Sequence, residues 1–189
     1  MTFKTLYDVL DGIRERPAMY LGPIVIEDPF PMFFGFFQGL RHSDMNPGKP
    51  SIWEFSSWLS CRLPTPTNMP FEVLYRELGS KGAYEAFFQY LDEYRGCTEI
   101  EVAVAHPVEL NPKFYCMDSN GNRVPPPLPD KLYVGQFCPS NVFFLGEVYG
   151  TNTQRRLPYC GNAKAVRAKA KSEWGVPLSA WPQRTSRST

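Results

Sequence analysis

Ala83-Tyr-Glu-Ala-Phe-Phe-Gln-Tyr-Leu-Asp-Glu-Tyr-Arg-Gly-Cys-Thr-Glu-Ile-Glu-Val-Ala-Val-Ala105 contains the change of period that decides the fold. Up to Tyr94 the apolar residues Ala83, Phe87, Tyr90, Leu91 and Tyr94 return every three or four positions, the spacing of one helix face, and Gly96 stops the helix. From Glu99 the period drops to two. Ile100, Val102 and Val104 alternate with Glu99, Glu101 and Ala103, which predicts a strand with its isoleucine and valines facing inward. Helical signals precede this point and strand and turn signals follow it. The expected class is α+β, with an N-terminal helical lobe over 1–97 packed on a C-terminal antiparallel sheet over 98–182 that carries one helix.

Upstream, Thr5 and Asp8 stand as a capping box ahead of Leu6, Val9, Leu10 and Ile13, and Pro17 ends that helix near Arg16. Ala18 to Leu21 is a corner closed by Gly22-Pro23, in which Met19, Tyr20 and Leu21 plug the core. Asp28-Pro29 opens a second helix with Phe33, Phe34, Phe36, Phe37 and Leu40, an apolar surface too wide for a solvent-facing stripe. Ser51 and Glu54 make another capping-box pair before Ile52, Phe55, Leu59 and Leu63. A stiff linker, Pro64 to Pro70, leads to Phe71, Leu74, Tyr75 and Leu78, a short helix ended by Gly79. With the helix from Ala83 this makes about five. The aromatic load of Phe33, Phe36, Phe87 and Trp53 exceeds what a small helical lobe needs, so one interior shared by both lobes is expected.

Downstream, Phe114–Met117, the Asn120-Gly121 turn and Arg123-Val124 read as a short strand pair, and Pro125 to Pro129 as a polyproline II connector. Val142–Tyr149 and Gln154–Cys160 read as a hairpin around Gly150. Asn162 caps a last helix with the stripe Val166, Ala170 and Trp174, closed by Gly175 and Pro177. Residues 183–189 read as a frayed tail.

Composition narrows the classes. Hydrophobic residues are 43% and charged residues 21% of the 189, as in soluble globular chains, which excludes long disorder and collagen-like repeats. The N-terminus does not read as a signal peptide, and Phe30–Leu40 is too short and too interrupted to span a bilayer. The five cysteines show no CxxC pair and only two histidines accompany them, so they read as mostly buried thiols without a metal, in a reducing cytoplasm. Residues 1–97 hold 9 basic and 12 acidic side chains, net −3, whereas 98–189 hold 11 and 7, net +4. Lys164, Arg167 and Lys171 share one face of the last helix, a solvated face or a nucleic-acid contact.

Leu10-Asp-Gly-Ile-Arg-Glu-Arg-Pro-Ala-Met-Tyr-Leu-Gly22 resembles the RPGMYIG stretch of the gyrase B family of ATPase domains. The Asn-bearing helix and Asp-x-Gly-x-Gly turn of that family do not follow, so no nucleotide site carries over. A wider pattern covers residues 6 to about 95. I-R-x-R-P-x-M-Y-L-G, the aromatic helix Phe33–Gly39, the Trp-bearing helix Ile52–Trp58 and Ala86–Tyr94 together resemble small bacterial cytoplasmic proteins, some of them similar to immunity proteins encoded beside polymorphic toxins. That resemblance implies a non-enzymatic protein that binds a cognate toxin and occludes its active or substrate surface. Arg14, Arg16, Tyr20, Asp92 and Glu93 are the candidate contact residues. No Gly-x-Ser-x-Gly elbow, phosphate-cradling loop or His-Glu-x-x-His helix occurs, and neither cofactor nor metal is expected. A nucleic-acid-associated protein using the basic C-terminal region is the alternative, followed by a small enzyme of unidentified chemistry.

Overall fold

The computed structural model describes residues 4–21, 29–40, 43–64, 67–105, 116–124, 127–160, 162–177, 179 and 181. The expectations for Gly22-Pro23, for Asp28, for residues 114–115, for Pro125-Pro126 and for the tail 183–189 lie outside these residues. The class is α+β, and the chain divides at the change of period into two units, 1–97 and 98–189.

In the first unit, α1 (Leu6–Glu15) begins at the expected capping box. The Asp8 carboxylate accepts from the backbone N–H of Thr5 and Lys4 at 2.8 and 2.9 Å, and the Thr5 hydroxyl accepts from Asp8 N–H at 3.3 Å. α2 (Pro17–Leu21) turns the corner, burying Leu21 but leaving Met19 70% exposed, so Met19 is not a core plug. α3 (Pro29–Leu40) carries the phenylalanines. The Ser51 box is not formed: Ser51 precedes a 3-10 turn, Ile52–Glu54, without a side-chain cap, and α4 (Phe55–Arg62) continues from it. The two helices expected on either side of Gly79 join as α5 (Pro70–Arg95), kinked where Gly79 takes φ 66°, a conformation that only glycine adopts without strain. Phe87 on α5 is the hub of the core, with ring centroids 4.6 Å from Phe33, 5.3 Å from Phe55 and 5.6 Å from Phe37. Tyr94, buried against Phe55 and Trp58, donates its hydroxyl to the Ser51 carbonyl at 2.8 Å.

The second unit is a four-stranded antiparallel sheet of β1 (Thr98–Ala105), β4 (Lys131–Cys138), β5 (Val142–Tyr149) and β6 (Asn152–Cys160), in that order, with β2 (Cys116–Met117) and β3 (Arg123–Val124) paired apart from it. β4 is an element the sequence reading missed, although it lies between β1 and β5. Leu132, Tyr133, Val134, Gly135 and Phe137 are all buried, so it lacks the alternation that marks a half-exposed strand.

β1 also differs from expectation. A register shift between Glu101 and Ala103 moves Ala103 and Ala105 onto the face that the plain alternation assigns to Ile100, Val102 and Val104, because one inserted residue exchanges the two faces of a strand. The alanines are buried there, while Ile100, in the exposed first half of β1, stays 41% exposed. α6 (Ala163–Trp174), capped by Asn162 and ended by Gly175, lays Val166, Ala170 and Trp174 on Leu132, Val134 and Leu145. Trp174 Nε1 and the Tyr149 hydroxyl each donate at 3.0 Å to the fully buried Glu147 carboxylate. On the opposite sheet face, Tyr133 lies over Gly146 and Phe144 over Gly135, cross-strand partners in which a Cβ would overlap the ring. Among the cysteines, Cys97 is a buried thiol and Cys138 a half-buried one, but Cys61, read as a thiol, is disulfide-bonded. Spacing along the chain does not report which cysteines the fold brings together.

Candidate functional site

Two surfaces of the helical unit, and one of the β unit, gather candidate contact side chains. The first contains most of the sequence-predicted contact residues. Arg14 on α1 grips Asp92 on α5 with both carboxylate oxygens at 2.8 and 3.0 Å and lies over the Phe88 ring at 5.2 Å. Arg95 Nη1 likewise donates to both oxygens of Asp11, its guanidinium covering Tyr7 at 4.9 Å, and Arg62 Nε donates to Glu93 at 2.7 Å. The hydrogen bond to Glu93 is the main reason the Arg62 guanidinium binds its proton more tightly than usual.

Side chains on this face are one-third to one-half exposed, so each pair contributes only about 0–1 kcal/mol. Their effect is positional: they set α1 and α4 against the C-terminal half of α5. Arg14, Asp92 and Glu93 therefore already bond to one another or to Arg62. Arg16 is exposed at the C-cap of α1 and Tyr20 is half-buried in α2. Beneath them Tyr7 is held well above the ordinary tyrosine range by burial, with its hydroxyl donating to the Pro50 carbonyl at 2.9 Å.

A second surface went unpredicted. Where α3 passes the start of α5, a cavity of about 460 Å³ opens between Phe30 and Phe34 on one side and Met69, Phe71 and Tyr75 on the other, with Ser56 of α4 also lining it. Local chemistry builds its rim. Pro70 occupies the first turn of α5, where a missing N–H costs nothing, and Met69 N–H is satisfied by the Thr67 hydroxyl at 3.0 Å. Phe30 stacks on Tyr75 at 6.1 Å and 12°, and Phe34 tilts against Phe71 at 5.0 Å.

Met69 is 61% and Tyr75 39% exposed, and Leu78, one turn beyond Tyr75 on α5, is also exposed. Glu72 is the one charged residue among the described residues lining the cavity. The sequence assigned Phe34, Phe71 and Tyr75 to core stripes. The available signal was the apolar run Met69, Phe71, Tyr75 and Leu78 at the start of α5, longer than one buried stripe requires.

In the β unit, Lys164 and Lys171 are exposed on α6, whereas Lys169 pairs with Glu173 at 3.1 Å. Arg167, expected on the same solvated face, is half-buried with its Nε enclosed, because it lies next to the Val166 stripe. Among the described residues no group of three or more His, Cys, Asp or Glu could hold a metal ion, and no helix is long and apolar enough to cross a membrane. Comparison with protein-family models, with curated proteins and with solved structures finds no match to this chain.

Proposed function

We propose that the protein is a non-enzymatic bacterial binding protein, an immunity protein that neutralises a cognate toxin by covering its active or substrate surface. The observation that carries the reading is the cavity between α3 and α5 with Met69 and Tyr75 exposed on its rim. Methionine and tyrosine are enriched where proteins meet, tyrosine as a stiff ring of large area and methionine as a soft chain that fits irregular surfaces. Burying this rim against a partner would remove apolar surface from water, while the ion pairs of Arg14, Asp92 and Glu93 hold α1 and α4 to the C-terminal half of α5. Arg16 and Tyr20 supply further contacts from the α2 corner. Neutralisation then needs complementarity of shape and charge and no bond making.

The test is co-expression with a toxin encoded beside the gene. The parent chain should restore growth, and Tyr75→Ala combined with Met69→Asp should lose protection while the protein stays folded. Protection by that double variant equal to the parent's would overturn the reading.

A second reading, contact with nucleic acid, is favoured by the exposure of Lys164 and Lys171 on α6. It requires binding that weakens steeply with salt, at a log–log slope of about −0.9 per phosphate contacted, and that is lost on Lys164→Glu with Lys171→Glu. The compartment we propose is the cytoplasm, in keeping with the thiols of Cys97 and Cys138; the disulfide at Cys61 weighs against it.

A further inference from the structure

Resting on the reading of the α3–α5 cavity as a contact surface, we propose that what it takes from the partner is an arginine flanked by an aromatic side chain. Size comes first. A cavity of about 460 Å³ falls within the roughly 300–1,000 Å³ of sites that enclose whole small molecules, so it accommodates a pair of neighbouring side chains. Its walls suit flat groups, since four aromatic residues, Phe30, Phe34, Phe71 and Tyr75, line it, and Phe34 and Tyr75 keep ring surface exposed. Aromatic and guanidinium groups both stack on such surfaces, and the guanidinium gains a cation–π term that a neutral planar group lacks.

Charge selects the sign. Glu72, exposed in the first turn of α5, contributes a full negative charge at the cavity, and it makes no ion pair among the described residues. The positive end of the α5 dipole opposes it with only about half a charge, and Arg76, one turn further along α5, is not among the residues that line the cavity, so Glu72 sets the sign of the charge at its wall. The whole helical unit adds net −3 at longer range. A purely apolar anchor would shield Glu72 from water without compensation, and an acidic one would be repelled. Arginine is preferred to lysine because its weakly hydrated plane can lie on a ring while its N–H groups reach the carboxylate.

The experiment titrates the full chain with acetyl-phenylalanyl-arginine methylamide and with the same peptide carrying citrulline, the neutral isostere of arginine, following the NMR signals of Phe34, Phe71 and Tyr75. The arginine peptide should bind roughly fivefold more tightly, the combined effect of one cation–π contact and one exposed ion pair. Glu72→Gln, an exposed and nearly isosteric change, should reduce that ratio to about twofold, and raised ionic strength should shrink it in the parent. Equal binding of the two peptides, no shift with either, or a ratio that survives Glu72→Gln overturns the assignment. If the peptides bind alike but the rim variant still loses protection, the arginine assignment falls and the contact surface stands. If the peptides discriminate but the rim variant protects fully, the immunity reading falls and the cavity chemistry stands.

Discussion

The helical unit gathers its core rings around one central ring, whereas in the sheet Tyr133 and Phe144, besides meeting each other, are each seated on a glycine of the neighbouring strand. In the helical unit Phe33, Phe37, Phe55 and Phe71 converge on Phe87, an arrangement that depends on one side chain from α5. In the β unit Phe144 and Tyr133 each occupy the space that a Cβ would need on the neighbouring strand, so their packing depends on what Gly135 and Gly146 lack. The difference teaches that bulky rings are accommodated in two ways. Helices separate their axes to admit bulk, while strands held at hydrogen-bonding distance must remove bulk from one partner to seat it on the other.

The comparison breaks most visibly at the hub. Phe87→Ala should lower the stability of the helical unit by about 4 kcal/mol, since removal of a buried ring leaves a cavity that surrounding rings cannot fill. Urea unfolding monitored by helix circular dichroism measures it, and a loss below about 1 kcal/mol would mean the rings collapse into the gap.

A single type of substitution sharpens the contrast next. Gly135→Ala forces a methyl group into the Phe144 ring and should cost about 1–3 kcal/mol. Gly35→Ala, on an exposed position of α3 with open space around its Cα, should instead stabilise by about 0.5–1 kcal/mol through helix propensity. Thermal unfolding of the two variants should therefore shift in opposite directions, and shifts of the same sign would refute the packing described for one of them.

The smallest expected effect concerns pH, and each region supplies one group for it. Asp8 is held below the ordinary aspartate range chiefly by the backbone N–H of Thr5, then by that of Lys4, and Asp118 chiefly by the N–H of Asn122 in the β2–β3 turn. Because the folded value lies below the unfolded one, about 3.9, the contribution is complete above that value and disappears as pH falls through the folded one. The melting-temperature gap between parent and Asp8→Asn should be open at neutral pH and close on acidification, and a gap that stays constant across the carboxylate range would contradict the capping role. Asp118→Asn should behave in the same sense but alter only the local turn.

Much of the architecture was legible in short stretches, and the failures have a common cause. Thr5 with Asp8, Asn162 with Gly175, and Gly79 between two apolar stripes all announce themselves within a few residues, because caps and stops are steric and hydrogen-bonding events among neighbours. The change of period at Cys97 is equally local. Ser51 failed as a cap although it has the right partner at Glu54, since the chain there enters a 3-10 turn. The contact residues Arg14, Asp92 and Glu93 were identified as charged positions, but neither their mutual pairing nor that with Arg62 is visible when 31 and 78 residues separate the partners.

By itself, then, the sequence determined the caps of α1 and α6, the break at Gly79, the point where strands replace helices, and which side chains are apolar enough to be buried. Only the tertiary structure decided that β4 is central, that β1 turns Ala103 and Ala105 inward rather than Ile100, and that Phe34, Met69 and Tyr75 open a cavity instead of closing a core. The physical reason lies in range. Dihedral preferences and capping bonds act over about four residues, whereas strand register, ring packing and a concave surface exist only once segments far apart in the chain are held side by side.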